Sequence, residues 1–130
     1  MLLTKHLSER ATTPFAWKGN HCGTLAADWV LLKTGVDPMA DIRNLESALQ
    51  VLRYMKRMGG AVATGDALLG NRVPPLFAQR GDVCLVPSGG RIGKARGYTF
   101  GVCNGSLVAV PGADGVVFVP ITEVVATWRV

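Results

Sequence analysis

In the first half of the chain, apolar residues recur at spacings of three and four, which is the period of a helix buried on one face. This pattern predicts helices at residues 2–10, 22–34, 44–58 and, more weakly, 62–69. Pro14 ends the first helix because proline has no amide hydrogen, and Gly35 ends the second because glycine readily adopts the left-handed conformation after a last turn.

Two of these helices have a clear predicted core face. In the second helix the face is formed by Cys22, Leu25, Ala26, Trp29 and Leu32, which places Cys22 at the helix N-terminus. In the third helix, Asn44 is the predicted N-cap, and Gly59 and Gly60 end the helix. Its predicted buried stripe is formed by Leu45, Ala48, Leu49, Leu52 and Met55.

The second half of the chain is richer in Val, Phe, Tyr and Thr, and short runs of these residues are separated by Gly and Pro. These runs predict strands at residues 82–86, 98–104, 107–110 and 116–120, and residues 121–130 are predicted as a short helix or a strand. Asn104 and Gly105 between two runs predict a hairpin with a type I′ turn. Helices followed by antiparallel strands indicate one α+β domain over residues 1–130.

Length and hydropathy are those of one domain with its own core. The chain has 130 residues, 48% of them apolar, and a mean hydropathy of +0.26. No run approaches the ~18 consecutive apolar residues of a membrane helix, so we expect no membrane insertion. Lys5, His6, Glu9 and Arg10 stand where a secretory signal would have its apolar segment, so we expect no such signal.

The net charge of +5 raises the question of nucleic-acid binding. The basic residues are mostly dispersed, with two loose groups: Arg53, Lys56 and Arg57 on a predicted helix, and Arg91, Lys94 and Arg96 in a Gly-rich segment. Only Tyr54 and Tyr98 accompany these groups as aromatic residues. We interpret the groups as a solvated helix face and a mobile loop, and we expect no nucleic-acid partner.

The three cysteines are Cys22, Cys84 and Cys103. Their odd number and wide spacing are untypical of a disulfide framework or a zinc site and fit a reducing compartment. A metal site built from the three cysteines and His21 would lack close ligand spacing, so we expect neither a metal nor another cofactor. Cys84 and Cys103 are predicted core residues, and the tryptophans at positions 17, 29 and 128 are predicted packing residues.

Three short patterns carry candidate chemistry, in this order: Phe15-Ala16-Trp17-x-Gly19-x-x-Cys22, Gly81-Asp82-Val83 and Gly101-Val102-x-x-Gly105. Together they resemble the motifs of the NlpC-type peptidoglycan cysteine peptidases over residues 15–120. The resemblance implies a papain-like fold in which N-terminal helices pack on a C-terminal antiparallel sheet or half-barrel. It also implies that Cys22 is the nucleophile.

A longer series of elements extends over most of the chain: Pro14-Phe15-Ala16-Trp17, Cys22, Gly35-Val36-Asp37-Pro38, Gly81-Asp82, Gly115-Val116 with Pro120, and Trp128-Arg129. This series resembles a family of short NlpC-like proteins encoded among the tail genes of phages and gene-transfer agents. The resemblance implies synthesis in the host cytoplasm and a place in the virion, at the tail tip. Other tail proteins, such as a hub or central fibre, would be its partners, and the segment from Arg91 to Arg96 is a candidate contact.

A cysteine at a helix start has a physical reason, because free amide hydrogens and the helix dipole stabilise the thiolate that attacks a carbonyl. A peptidase also needs an imidazole within hydrogen-bond reach. The resemblance places Thr99 where the family has its histidine, and threonine is no base at neutral pH. His21 replaces the aspartate that usually precedes the cysteine, and Lys18 looks like an insertion.

These departures leave two hypotheses from different classes. In the first, the chain is a structural or assembly component of a phage-type tail tip that keeps a degenerate peptidase fold, with Cys22 as a core residue. In the second, it is a cysteine hydrolase that cuts peptidoglycan stem peptides with Cys22 as nucleophile. The base would then be His21, His6 or a histidine of a neighbouring chain. The surroundings of the Cys22 sulfur distinguish the two hypotheses.

Overall fold

A computed structural model of the chain describes residues 2–16, 19, 21–92 and 95–130. Its helices are α1 Leu2–Arg10, α2 Thr24–Thr34, α3 Ala40–Arg43, α4 Ala48–Met58 and α5 Ala61–Leu69. Its strands are β1 Arg72–Val73, β2 Val83–Ile92, β3 Ala95–Cys103, β4 Leu107–Gly112, β5 Gly115–Pro120 and β6 Ala126–Trp128. Two short 3₁₀ turns, Pro75–Phe77 and Ile121–Glu123, connect strands in the second half.

The strands form one antiparallel sheet in the order β1-β6-β2-β3-β4-β5. Neighbours from β2 to β5 are consecutive in the chain, whereas β6 returns from the C-terminus to lie between β1 and β2. Helices in the first half and an antiparallel sheet in the second confirm the predicted α+β class. Residues 121–130 contain both a 3₁₀ turn and a strand, the two alternatives left open by the sequence.

Two apolar clusters cover the two faces of the sheet. The larger joins α1, α2 and α4 to the face that carries Phe100, Val102 and Trp128. The smaller, on the other face, is formed by Cys84, Val86, Cys103, Val108, Val110 and Val124. The predicted core positions of Cys84, Cys103, Trp29 and Trp128 are therefore confirmed, because all four side chains are buried. Trp17 and Lys18 lie outside the described residues.

Two predicted helix faces are wrong in part. In α2, Leu32 is 48% exposed, and Val30 is buried in its place beside Trp29. α4 begins at Ala48 because the Ser47 side chain, and not Asn44, caps it by accepting the amide hydrogen of Gln50 (3.1 Å). The buried residues of α4 are Val51, Tyr54 and Met55, so Met55 is the one residue of the predicted stripe that is buried, and Leu49 is 48% exposed.

The Gly-rich segment is not the loop that the sequence predicts. β2 and β3 continue to pair as far as Ile92 and Ala95, with Arg91 opposite Arg96. A register irregularity between Pro87 and Arg91 lets the strand pass residues that normally interrupt a sheet. Lys94 and the side chains of Arg91 and Arg96 lie outside what the structure describes, so the contact predicted for them stays a prediction.

The predicted hairpin between β3 and β4 is confirmed, but the prediction of a type I′ turn is wrong. Asn104 donates its amide hydrogen to the carbonyl of Leu107 (2.8 Å), so Gly105 and Ser106 are the central residues. Gly105 has a φ of 93°, and no described residue other than glycine has a positive φ. Positive φ at the first central position alone is the geometry of a type II′ turn.

The described helices include none long and apolar enough to cross a membrane.

Candidate functional site

The candidate site lies in the segment that leads into α2. Gly23 is the N-cap of α2, so Cys22 stands just before the helix and not in its first turn. A reciprocal pair of hydrogen bonds closes the turn: the Thr24 amide donates to the His21 carbonyl (3.2 Å), and the His21 amide donates to Thr24 Oγ1 (3.1 Å). The Phe100 amide on β3 donates to the Cys22 carbonyl (2.9 Å), which fixes the segment against the sheet.

Gly23 is required here by close packing. A Cβ at this position would lie 2.3 Å from Cγ2 of Ile42, well inside any normal contact. The side chain of Ile42 on α3 therefore packs directly against the backbone of Gly23, just before α2. The segment is therefore in contact with both α3, through Ile42, and β3, through the Phe100 amide.

The Cys22 thiol is buried, with 6% of the residue exposed, and belongs to the larger core cluster. Burial raises its pKa to about 11, because the thiolate would lose its hydration in apolar surroundings. At pH 7 only about one thiol in ten thousand would be ionised with such a pKa. A backbone hydrogen bond only partly opposes this desolvation, so the pKa of Cys22 is raised and not lowered as in an activated nucleophile.

His21 is fully buried, and its ring is held by the backbone at the start of α2 and in α3, so it is not a free base. Its Nδ1 accepts the amide hydrogen of Gly23 (3.2 Å), so the proton of the neutral ring is on Nε2. Burial lowers the pKa of His21, and hydrogen bonding to the backbone of α3, chiefly at Arg43 and Ile42, only partly opposes that shift. The ring therefore holds the start of α2 against α3 in its neutral form.

The second histidine, His6, forms its contacts with two residues of α2. Its Nε2 lies 3.2 Å from the carbonyl oxygen of Leu25, and its ring centre is 5.9 Å from that of Trp29. Burial lowers the pKa of His6 as well. This histidine fastens α1 to α2.

Thr99 is buried but faces a different part of the molecule. It pairs with Val86 across β2 and β3, and with Val86 and Val110 it lines a cavity of about 500 Å³ on the side of the smaller cluster. Its neighbour Phe100 packs into the larger cluster that contains Cys22. Alternation along β3 thus separates Thr99 from Cys22, and the structure does not assemble Cys22, His21 and Thr99 into one catalytic arrangement.

The Gly-Asp and Trp-Arg motifs meet at one structural junction. Gly81, with a φ of 98°, accepts the indole hydrogen of Trp29 at its carbonyl (2.8 Å). The carboxylate of Asp82, which is 3% exposed, accepts hydrogen bonds from the Gln79 amide (2.9 Å) and from Arg129 Nη2 (3.2 Å). These residues fix the entry into β2 and the end of β6.

The sequence interpretation missed an ion network that joins the first three helices. Asp28 accepts hydrogen bonds from Arg10 on α1 (2.6 Å) and from Arg43 on α3 (2.8 Å), and Arg43 also pairs with Asp37. The sequence signal was the single carboxylate within the apolar run of α2. Within the described part of the chain, no three His, Cys, Asp or Glu side chains are grouped as a metal site would need.

Comparison with known proteins gives one match. No curated protein and no solved structure matches the chain. A family model described as "Domain of unknown function (DUF6950)" matches residues 2–130. That match covers the whole α+β domain, and the chain belongs to the DUF6950 family.

Proposed function

We propose that the protein is a structural or assembly component of a phage-type tail tip, with a degenerate NlpC-like peptidase fold, and that it acts by binding other proteins. The observation that carries the proposal is the enclosure of Cys22. Its thiol is buried with a pKa of about 11, and both histidines among the described residues are held in backbone contacts of their own. Such a cysteine stabilises the core and does not attack a substrate.

The order of motifs along the chain supports the tail context. Gly81, Asp82, Trp128 and Arg129 are part of that resemblance: Asp82, Trp128 and Arg129 join β2 to β6, and Gly81 binds Trp29 of α2 at the entry to β2. A chain that keeps the scaffold motifs while its cysteine is enclosed is what we expect of a fold retained for binding. Its proposed partners are tail hub or central fibre proteins, with peptidoglycan as a further contact, and its proposed location is the virion.

The test is complementation in the phage or gene-transfer system that encodes the protein. Deletion of the gene should abolish complete tails, counted by electron microscopy, and Cys22→Ala should restore both tails and DNA delivery. Cys84→Ala is the matched control, because it also removes a buried thiol and lies on the other face of the sheet.

Two results would contradict the proposal. Complete tails in the deletion strain would exclude an assembly role. Normal tails with failed DNA delivery in the Cys22→Ala strain, but not in the Cys84→Ala strain, would favour the hydrolase that cuts peptidoglycan stem peptides.

A further inference from the structure

The exposed side of α4 carries a group of positive charges. Arg53, Lys56 and Arg57 are all exposed, and their spacing of three and four residues places them on one side of the helix. The chain has no carboxylate between residues 47 and 65. Asp41 accepts a hydrogen bond from Tyr54, which is a buried residue of the same helix.

These three cations differ from most other arginines of the protein. Arg10, Arg43, Arg72 and Arg129 each form a salt bridge with an aspartate. In the described part of the chain, the three cations of α4 form none. The guanidinium of Arg57 instead lies 5.8 Å from the centre of the Tyr54 ring. Their charge is therefore available to a partner.

An apolar groove runs beside these charges. It has a volume of about 520 Å³ and lies between the C-terminal half of α4, the turn into α5 and Tyr98 of β3. Leu52, Met55 and Tyr98 provide its apolar surface, and Lys56 stands on its wall. Tyrosine, methionine and arginine are the residues enriched where proteins bind each other.

We propose that this groove docks an acidic segment of a partner protein: its carboxylates pair with Arg53, Lys56 and Arg57, while an apolar side chain of the segment fills the cavity. The inference rests on the proposed binding function and specifies the partner's chemistry. Charge complementarity selects an acidic partner. The apolar lining selects a protein over a nucleic acid, since phosphates and sugars would leave that surface unfilled.

The probe is a fluorescent synthetic peptide in which a central Phe-Leu pair is flanked by blocks of Asp and Glu, and binding is measured by fluorescence anisotropy. The variant R53E/K56E should bind the peptide about tenfold more weakly, because two exposed attractions become repulsions. The matched control is K5E/K33E, which changes the net charge equally at exposed positions away from the groove and should bind as the unaltered protein does. Raising the salt concentration should weaken binding to the unaltered protein.

A second variant tests the cavity separately from the charges. Ala61→Phe fills the groove from the start of α5 and should weaken binding about tenfold with no change in charge. A peptide with Ser-Ser in place of Phe-Leu should not distinguish A61F from the unaltered protein. Thermal unfolding of each variant establishes that it is folded.

Three results would overturn the inference: no measurable peptide binding, equal losses in R53E/K56E and K5E/K33E, or tighter binding of a single-stranded oligonucleotide that displaces the peptide. The complementation strains separate this failure from failure of the tail proposal. If the peptide does not bind but deletion still abolishes tails, the groove inference fails alone. If deletion leaves tails intact, the tail role fails.

Discussion

At the start of α2, the side chains that could react or bind are buried, whereas along α4 they are exposed. The Cys22 thiol is buried and His21 accepts a backbone hydrogen bond, while Ile42 leaves no room for a side chain at Gly23. Beside α4, Lys56 borders an apolar groove and has no salt bridge in the described part of the chain. The two regions belong to the same helical half of the domain.

The difference lies in which side chains other molecules can reach. A thiol acts as a nucleophile only when its anion is stable and a substrate can reach it, and the start of α2 provides neither condition. Cations act on a partner when they are solvated and unpaired, as on α4. The sequence motifs indicate a site at the start of α2, but the side chains that a partner could reach are those on the exposed side of α4.

The largest expected effect concerns thiol reactivity. Iodoacetamide should modify Cys22 of the folded protein at pH 7 at least about a hundredfold more slowly than an ordinary cysteine, because the pKa is raised from 9.0 to about 11. The rate should increase with pH up to that pKa. Mass spectrometry after proteolysis resolves the label at each cysteine.

The control for this labelling is the unfolded protein in denaturant, where Cys22, Cys84 and Cys103 should all react rapidly at the same pH. Rapid modification of folded Cys22 at neutral pH, with an apparent pKa below ~8.5, would remove the contrast between the two regions and revive the hydrolase.

The next effect tests the packing that encloses the thiol. Gly23→Ala should lower the free energy of unfolding by about 2 kcal/mol, because its Cβ would lie 2.3 Å from Cγ2 of Ile42. Urea denaturation measures the change. The same substitution should cost less in an Ile42→Ala background, which removes the opposing atom. An equal cost in both backgrounds would mean that Ile42 does not close the site.

How much of the fold the sequence predicted depends on how local the signal is. α1, α2 and α5 follow from helical periodicity and local stops, and β2 to β5 follow from β-branched runs between glycines and prolines. The short elements α3 and β1 were not predicted, because four and two residues are too few for a periodic pattern. The start of α4 did not follow, because Asn44 and Ser47 are both good N-cap residues. Its buried side did not follow either, because packing against other elements decides it. The length of the β2–β3 hairpin was missed because Pro87 normally ends a strand.

The candidate site was less accessible to prediction. The motif picked out Cys22, but its burial depends on Ile42 and on the Phe100 amide, which are distant in sequence. The orientation of His21 likewise depends on packing against α3. The groove beside α4 was missed because Tyr98 comes from β3, and periodicity along one helix does not reveal a neighbour from another element.

A smaller effect concerns the ion network of Asp28, Arg10 and Arg43, which joins α1, α2 and α3. Asp28→Asn should lower the free energy of unfolding by about 1–2 kcal/mol, because Arg10 and Arg43 lose the charged partner that holds α1 and α3 to α2. Asp114→Asn is the matched control: it makes the same chemical change in an exposed turn between β4 and β5 and should cost little. Equal stability of the two variants would show that this network does not support the site.

The smallest effect is an acid-dependent loss of stability from the buried histidines. The folded pKa of His6 is lowered by burial, so between pH 7 and pH 5 the unfolded chain takes up a proton at His6 before the folded one does. Stability therefore falls as the pH falls through the ordinary histidine pKa of 6.5. His6→Gln should make the fall measured by urea denaturation at the two pH values smaller. A steeper fall in the variant would mean that His6 is charged in the folded protein.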